Sequence, residues 1–163
     1  MVRGTGDVIR LIPYELIIQS AGVGIYGVDL KGNATFVNRA ASYMLGWKRA
    51  ELLGRHMHRV IHHTKADGSP YPEEECPIYA ALQDGSVHAI YHEVFWTKGD
   101  KPFPVEYIST PIQKYGSLVG AVVTFTDKIQ CQVAREALQV FAENPRAASE
   151  FSEWCSLQRK RSH

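Results

Sequence analysis

Gly24-Ile25-Tyr26-Gly27-Val28-Asp29-Leu30-Lys31-Gly32-Asn33-Ala34-Thr35-Phe36-Val37-Asn38 reads as two short strands folded back on one another. Val23, Ile25, Tyr26, Val28 and Leu30 lead into Lys31-Gly32-Asn33, and Ala34, Phe36 and Val37 resume the apolar run on the far side. Gly32 and Asn33 tolerate positive φ at small cost, which is what a tight hairpin turn requires. Asn38-Arg39-Ala40-Ala41 then opens a helical stretch in which the Asn38 side chain can accept from free helix amides. Ala41, Met44 and Leu45 give that helix an apolar edge, and Gly46 ends it.

Downstream, Lys48 to Leu53 predicts a second short helix that stops at Gly54. Asp67-Gly68-Ser69-Pro70-Tyr71-Pro72 is loop chemistry, because Pro and Gly remove or misplace the backbone bonds of a regular element. Cys76 to Leu82 predicts a further helix with Pro77 in its first turn and Glu73, Glu74 and Glu75 at its positive end. Three strands follow: Val87 to Trp96, Phe103 to Ile112 and Leu118 to Phe125, joined at Lys98-Gly99-Asp100 and Tyr115-Gly116-Ser117. Phe103, Val105, Tyr107 and Ser109 alternate with Pro104, Glu106 and Ile108, so one face of that strand looks to a core.

Helical spacing brackets this region. Upstream, Val8, Ile9, Leu11, Ile12, Leu16 and Ile17 form an imperfect stripe over Asp7 to Ser20, with Pro13 as a kink or restart. After Asp127, Ile129, Val133, Ala137, Val140 and Phe141 fall three or four apart, a stripe suited to covering an open sheet face or meeting another chain. Asn144-Pro145 interrupts it, and a last segment carries Phe151, Trp154 and Leu157 before Arg159-Lys160-Arg161.

With 163 residues, 45% of them hydrophobic, the chain has material for one core with terminal appendages. Its 18 Lys+Arg against 17 Asp+Glu leave a formal net charge of +1, which supplies no field for nucleic acid or an anionic membrane. Three cysteines, Cys76, Cys131 and Cys155, fit neither a secreted disulfide framework nor a zinc ribbon, so a reducing compartment is expected. Nothing approaches the roughly 20 apolar residues that span a bilayer. The expectation is a cytoplasmic protein without membrane or nucleic-acid partners.

Two strands, a run of short helices and three more strands is not a βαβ alternation, so an α+β domain with an antiparallel sheet follows from element order. The residues go further. Gly24 to Asn33, Phe36-Val37-Asn38-Arg39-Ala40-Ala41, Leu45-Gly46-Trp47 and Glu51-Leu52-Leu53-Gly54 resemble the opening half of a PAS domain. Glu93 to Asp100 resembles the penultimate hairpin of that family, and Gly120 to Asp127 its last strand. The chain departs from the family pattern in having Gly99-Asp100 where Asp-Gly is usual, and Lys128-Ile129 after Asp127.

The resemblance implies a five-stranded antiparallel sheet with short helices on one face, enclosing a pocket. It divides the chain into an N-terminal helical cap (1–20), the PAS domain (21–128) and a C-terminal helical extension (129–163). It implies a sensory module that takes a small ligand or partner, dimerises, and relays a signal through flanking helices to a downstream effector. Pocket lining is expected from Tyr43, Leu45, Ile78, Leu82, Tyr91, Tyr107 and Phe125, and coupling from Asp127, Ile129 and Val133.

Other chemistries can be weighed on residue types. His56, His58, His62 and His63 lie close together, and Cys76 follows one loop later. His58 and His62 share a face if that segment is helical, so His58, His62, His63 and Cys76 are a candidate metal set for a redox or gas sensor. The plainer alternative has His62 or His63 bonding the Asp67-Gly68 loop while the others face water. For haem, the resemblance implies a ligand on the helix before the third strand, and Pro77 to Leu82 has no histidine there, which leaves His88 and His92, pointing to the same face of a predicted strand, as substitutes. Flavin photochemistry would use Cys76, but Glu75-Cys76-Pro77-Ile78 stands where the light-sensing signature would be, and a buried Cys at a helix start is the simpler reading. No cofactor is required by the sequence. Neither G-x-S-x-G nor a P-loop string occurs, and Glu73-Glu74-Glu75 diverge around a helix start, so no enzymatic activity is expected.

Overall fold

Pro13 sets the start of the first helix in the computed structural model, which describes residues 12–143. Helix α1 (Tyr14–Ser20) begins directly after it, Pro13 supplying a fixed φ at the N-cap. The apolar residues before Ile12, and the segment carrying Phe151, Trp154, Leu157 and the basic tail, lie outside the described residues.

Strand β1 (Gly24–Val28) pairs antiparallel with β2 (Ala34–Val37), with Tyr26 opposite Val37, as the opening stretch predicts. Gly32 takes φ 77° in the turn. Helices α2 (Arg39–Leu45), α3 (Arg49–Leu52) and α4 (Met57–Ile61) follow. After a loop and a 3-10 turn at Glu73–Glu75 comes α5 (Pro77–Asp84), with Pro77 at its first position and Gly85 closing it in the left-handed region. Strands β3 (His88–Trp96), β4 (Pro102–Lys114) and β5 (Ser117–Asp127) then form consecutive antiparallel pairs.

The sheet order is β2-β1-β5-β4-β3, so β5 returns to the centre and pairs with β1 as well as β4. The expected α+β fold, a five-stranded antiparallel sheet with short helices, is the one observed. Its inner face carries Tyr26, Val28, Phe95, Val105, Tyr107, Val123 and Phe125, all buried against Leu45, Leu52, Met57, Ile61 and Leu82 of the helices. At about 25 cal/mol per Å² of apolar surface removed from water, this is the main favourable term for the fold. The crossing of β1 and β5 is tight: a Cβ on Gly120 would sit 2.2 Å from the Val28 carbonyl oxygen, so only glycine fits there.

The described residues divide into two units at Asp127/Lys128. The second contains α6 (Lys128–Glu143), on which Ile129 and Val133 of the predicted stripe are exposed. No helix among the described residues is long and apolar enough to cross a membrane.

Candidate functional site

Helix α4 is the element that sequence reasoning left open, and it places the histidines. Its start is tied to the first hairpin by Ala34 N–H donating to the Arg55 carbonyl (2.8 Å) and Met57 N–H donating to that of Gly32 (2.9 Å). Met57 and Ile61 enter the core, which turns His58 and the capping residue His62 to one side, ring centroids 5.6 Å apart. The helical face predicted for this pair is observed.

Beyond His62 the chain makes a small excursion. Lys65 and Ser69 bond across its neck (2.8 Å), and Tyr71 N–H returns to the His63 carbonyl (2.8 Å). Tyr71 is thereby set against α4. Its carbonyl accepts from His58 Nε2 at 2.8 Å, and its ring lies 4.6 Å from that of His62. The 3-10 turn then delivers Cys76 to the N-cap position of α5, where its side chain makes no capping bond. Sγ instead lies 3.2 Å from His62 Nδ1.

The other side of His62 meets the sheet. Its Nε2 lies 2.7 Å from Oε2 of Glu93 on β3, which also accepts from the Tyr107 hydroxyl at 2.7 Å. Glu93 Oε1 accepts from the Tyr71 hydroxyl at 2.7 Å. One carboxylate therefore joins α4, the loop, β3 and β4. Half-buried, it would resist ionisation, but the bonds from His62, Tyr71 and Tyr107 outweigh desolvation and hold its pKa below the usual carboxylate value. Burial, reinforced by the Glu93 charge, raises both tyrosines, so they remain donors. Burial pushes the Cys76 thiol up to about 11 and lowers His58, so both are neutral near pH 7.

A surface cleft of about 370 Å³, bordered by Lys65, Tyr71, Glu75, His92 and Glu93, opens on this network. A separate cavity of about 20 Å³ lies between Tyr26, His58, Cys76, Ile78 and Leu82. That volume suits one water or an ion and is far below the size of haem or flavin.

Several expectations need correction. Tyr43 is 80% exposed on α2 and Tyr91 60% exposed on the edge strand β3, so neither lines an interior pocket. Tyr43 sits on the helix side opposite Ala41 and Leu45, which take the core. Leu45, Ile78, Leu82, Tyr107 and Phe125 are buried as core; Ile78 and Leu82 border the small cavity. Tyr91, Tyr107 and Phe125 border a separate groove of about 300 Å³ along the sheet. No single enclosed pocket gathers the seven.

Of the metal set, His58, His62 and Cys76 come together, each offering a ligand atom within 4.8 Å of the others. His63 does not. It follows the helix end, bonds Thr64 Oγ1 at 2.6 Å and lies against Trp96. His62 is 1% exposed and bonded to Glu93, which overturns the plainer idea that it serves the Asp67-Gly68 loop. The same-face expectation for His88 and His92 fails because the register shifts between Ile90 and Glu93.

Glu93 and Tyr71 were missed as site residues. For Glu93 a signal existed: it shares parity with Phe95, and a carboxylate in line with a buried ring needs partners. Tyr71, between two prolines, gave none.

The PAS fold family model matches residues 13–128. The signal transduction histidine-protein kinase AtoS of Escherichia coli (strain K12) is 26% identical over 114 residues, which cover 69% of this chain and 17% of the kinase. The chain thus matches about a sixth of that relative's length. The PAS domain of nitrogen regulation protein NR(II) from Vibrio parahaemolyticus has a similar fold, with TM-score 0.56 and 14% identity over 71% of this chain and 98% of that one. So does a PAS domain from Colwellia psychrerythraea, with TM-score 0.58 and 15% identity over 74% and 97%. An RNA-binding light-oxygen-voltage receptor aligns with TM-score 0.61 and 18% identity over 87% of this chain and 39% of its own. Family match, sheet order and helix placement agree, and the chain belongs to the PAS family of sensory domains in signal transduction.

Proposed function

We propose that this domain is the sensory input of a signal-transduction protein, taking a small ligand at the His62–Glu93 network and relaying its presence to an effector through α6. The observation that carries the reading is a ladder of paired residues. Glu93 faces Val105 across β3 and β4, and Val105 faces Asp127 across β4 and β5. Asp127 immediately precedes Lys128, the first residue of α6. A ligand entering the cleft and competing for the Glu93 carboxylate would strain β3, and two strand pairings carry that strain to the helix start. Asp127, Ile129 and Val133 are the coupling residues.

The module acts by binding and not by catalysis. Cys76, buried beside the cleft's network, is a neutral thiol at ordinary pH, which makes it a poor attacking group. It works as a homodimer in the cytoplasm, without nucleic acid or membrane as partner. Support for the dimer comes from α1, where Tyr14, Leu16 and Ile17 expose apolar surface and no residue is buried.

Hydrogen exchange on wild type and Glu93→Gln tests the relay. The variant keeps the shape but weakens three charge-assisted bonds. Amides over residues 125–133 are expected to exchange about tenfold faster, as losing roughly 1.4 kcal/mol of local stability dictates. Unchanged exchange there, with faster exchange confined to β3, would remove the relay.

A further inference from the structure

His58, His62 and Cys76 converge from the two ends of α4 and the start of α5, and the bonds on the far side of each ring show which nitrogen faces inward. His58 Nε2 lies 2.8 Å from the Tyr71 carbonyl oxygen. A carbonyl only accepts, so Nε2 carries the hydrogen and Nδ1 holds a lone pair. That Nδ1 is buried and has no hydrogen-bond partner. His62 repeats the pattern: Nε2 donates to the Glu93 carboxylate at 2.7 Å, and the bare Nδ1 faces Cys76 Sγ at 3.2 Å. A carbonyl or carboxylate on the remote nitrogen is the support that metal-bound histidines receive.

A plain hydrogen-bonded core explains only part of this. A Cys76 S–H donating to His62 Nδ1 satisfies that pair. It leaves His58 Nδ1 and the Tyr26 hydroxyl buried with nothing to bond. A buried polar group left without a partner loses its hydration and gains nothing in return. A cation between the two rings and the sulfur gives His58 Nδ1 its partner, and a donor bound to that cation reaches the cavity that Tyr26 borders.

Donor chemistry selects the ion. Two neutral imidazoles and one thiolate suit Zn²⁺, whose bonds of about 2.0 Å to nitrogen and 2.3 Å to sulfur place tetrahedral ligands about 3.5 Å apart. The separations here run from 3.2 Å between His62 Nδ1 and Cys76 Sγ to within 4.8 Å for the set, so small side-chain rotations close it. Charge also balances, with the Cys76 thiolate and Glu93 carboxylate together matching the two positive charges. As the metal–sulfur bond forms, the thiol proton leaves to bulk water.

We propose that His58, His62 and Cys76 form a three-ligand Zn²⁺ site whose fourth position opens toward the cavity beside Tyr26. An open fourth position is what lets a bound metal exchange a water for another small donor. The site deepens the sensor reading by naming what the network holds, and it rests on that reading only for its signalling consequence.

The test uses the full chain, stripped with a chelator and titrated with Co²⁺ and then Zn²⁺. Expected are one Co²⁺ per chain, a thiolate-to-cobalt charge-transfer band, and its loss as Zn²⁺ displaces the cobalt. Cys76→Ser abolishes the band, Glu93→Gln weakens affinity about 10–100-fold as loss of an outer partner does, and His63→Gln leaves it unchanged. Circular dichroism checks the fold of each variant. If Cys76→Ser unfolds, His58→Gln replaces it, expected to lose stoichiometric Co²⁺ uptake while the wild type keeps the thiolate-to-cobalt band. Absence of stoichiometric uptake by the wild type, or uptake unchanged in Cys76→Ser and His58→Gln, overturns the site. The relay is read separately by hydrogen exchange, so failure of either stands apart from the other.

Discussion

Asn38 uses its whole side-chain hydrogen-bonding capacity at one junction. Oδ1 accepts from Ile25 N–H at 2.9 Å and Ala41 N–H at 2.8 Å, while Nδ2 donates to the carbonyls of Val23 at 2.9 Å and Ile18 at 3.1 Å. The residue is fully buried. Asn38→Ala is expected to cost about 3 kcal/mol or more, since it deletes a cap and strands several backbone groups. Urea unfolding checks this, and a loss below about 1 kcal/mol would show that water replaces the amide. The capping role was legible, because Asn before Arg39-Ala40-Ala41 is a local pattern. The bonds to Ile18 and Val23 were not, because they span 20 and 15 residues and exist only once α1 and β1 are packed together.

At the scale of elements, the turn between β3 and β4 shows what the Gly99-Asp100 order costs. Asp100, not Gly99, takes the left-handed conformation, with φ 53°. Asp→Gly at this position is expected to stabilise the hairpin by about 0.5–1 kcal/mol, because glycine enters that region without a Cβ penalty. A thermal melt of Asp100→Gly that is unchanged or lowered would contradict this account. Strands were readable from their turns and apolar runs. Helix α4 was not, since five residues, Met57–Ile61, are too few to show a period. The shift between Ile90 and Glu93 was equally hidden, and it is what defeats face assignments made by counting along β3.

For the molecule as a whole, the exposed apolar side chains of α1 are the support for the proposed pairing of two copies. Tyr14, Leu16 and Ile17 are 71%, 57% and 54% exposed. Leu16→Glu with Ile17→Glu is expected to convert the proposed dimer to monomer without lowering monomer stability, because α1 contributes no buried residue. Light scattering after size exclusion reads the outcome; a wild type that is monomeric at high concentration would exclude the dimer.

Element order and hairpin chemistry, which act between near neighbours, were enough to determine an antiparallel α+β sheet and its family. The joining of His58, His62, Cys76, Tyr71 and Glu93 was decided only by tertiary structure. Residue types can nominate ligands, but a 2.7 Å bond between His62 and Glu93, 31 positions apart, depends on how α4 and the 64–71 loop pack on the sheet. His63 carries the same ring as His62, and one further step along the backbone turns it away from the site.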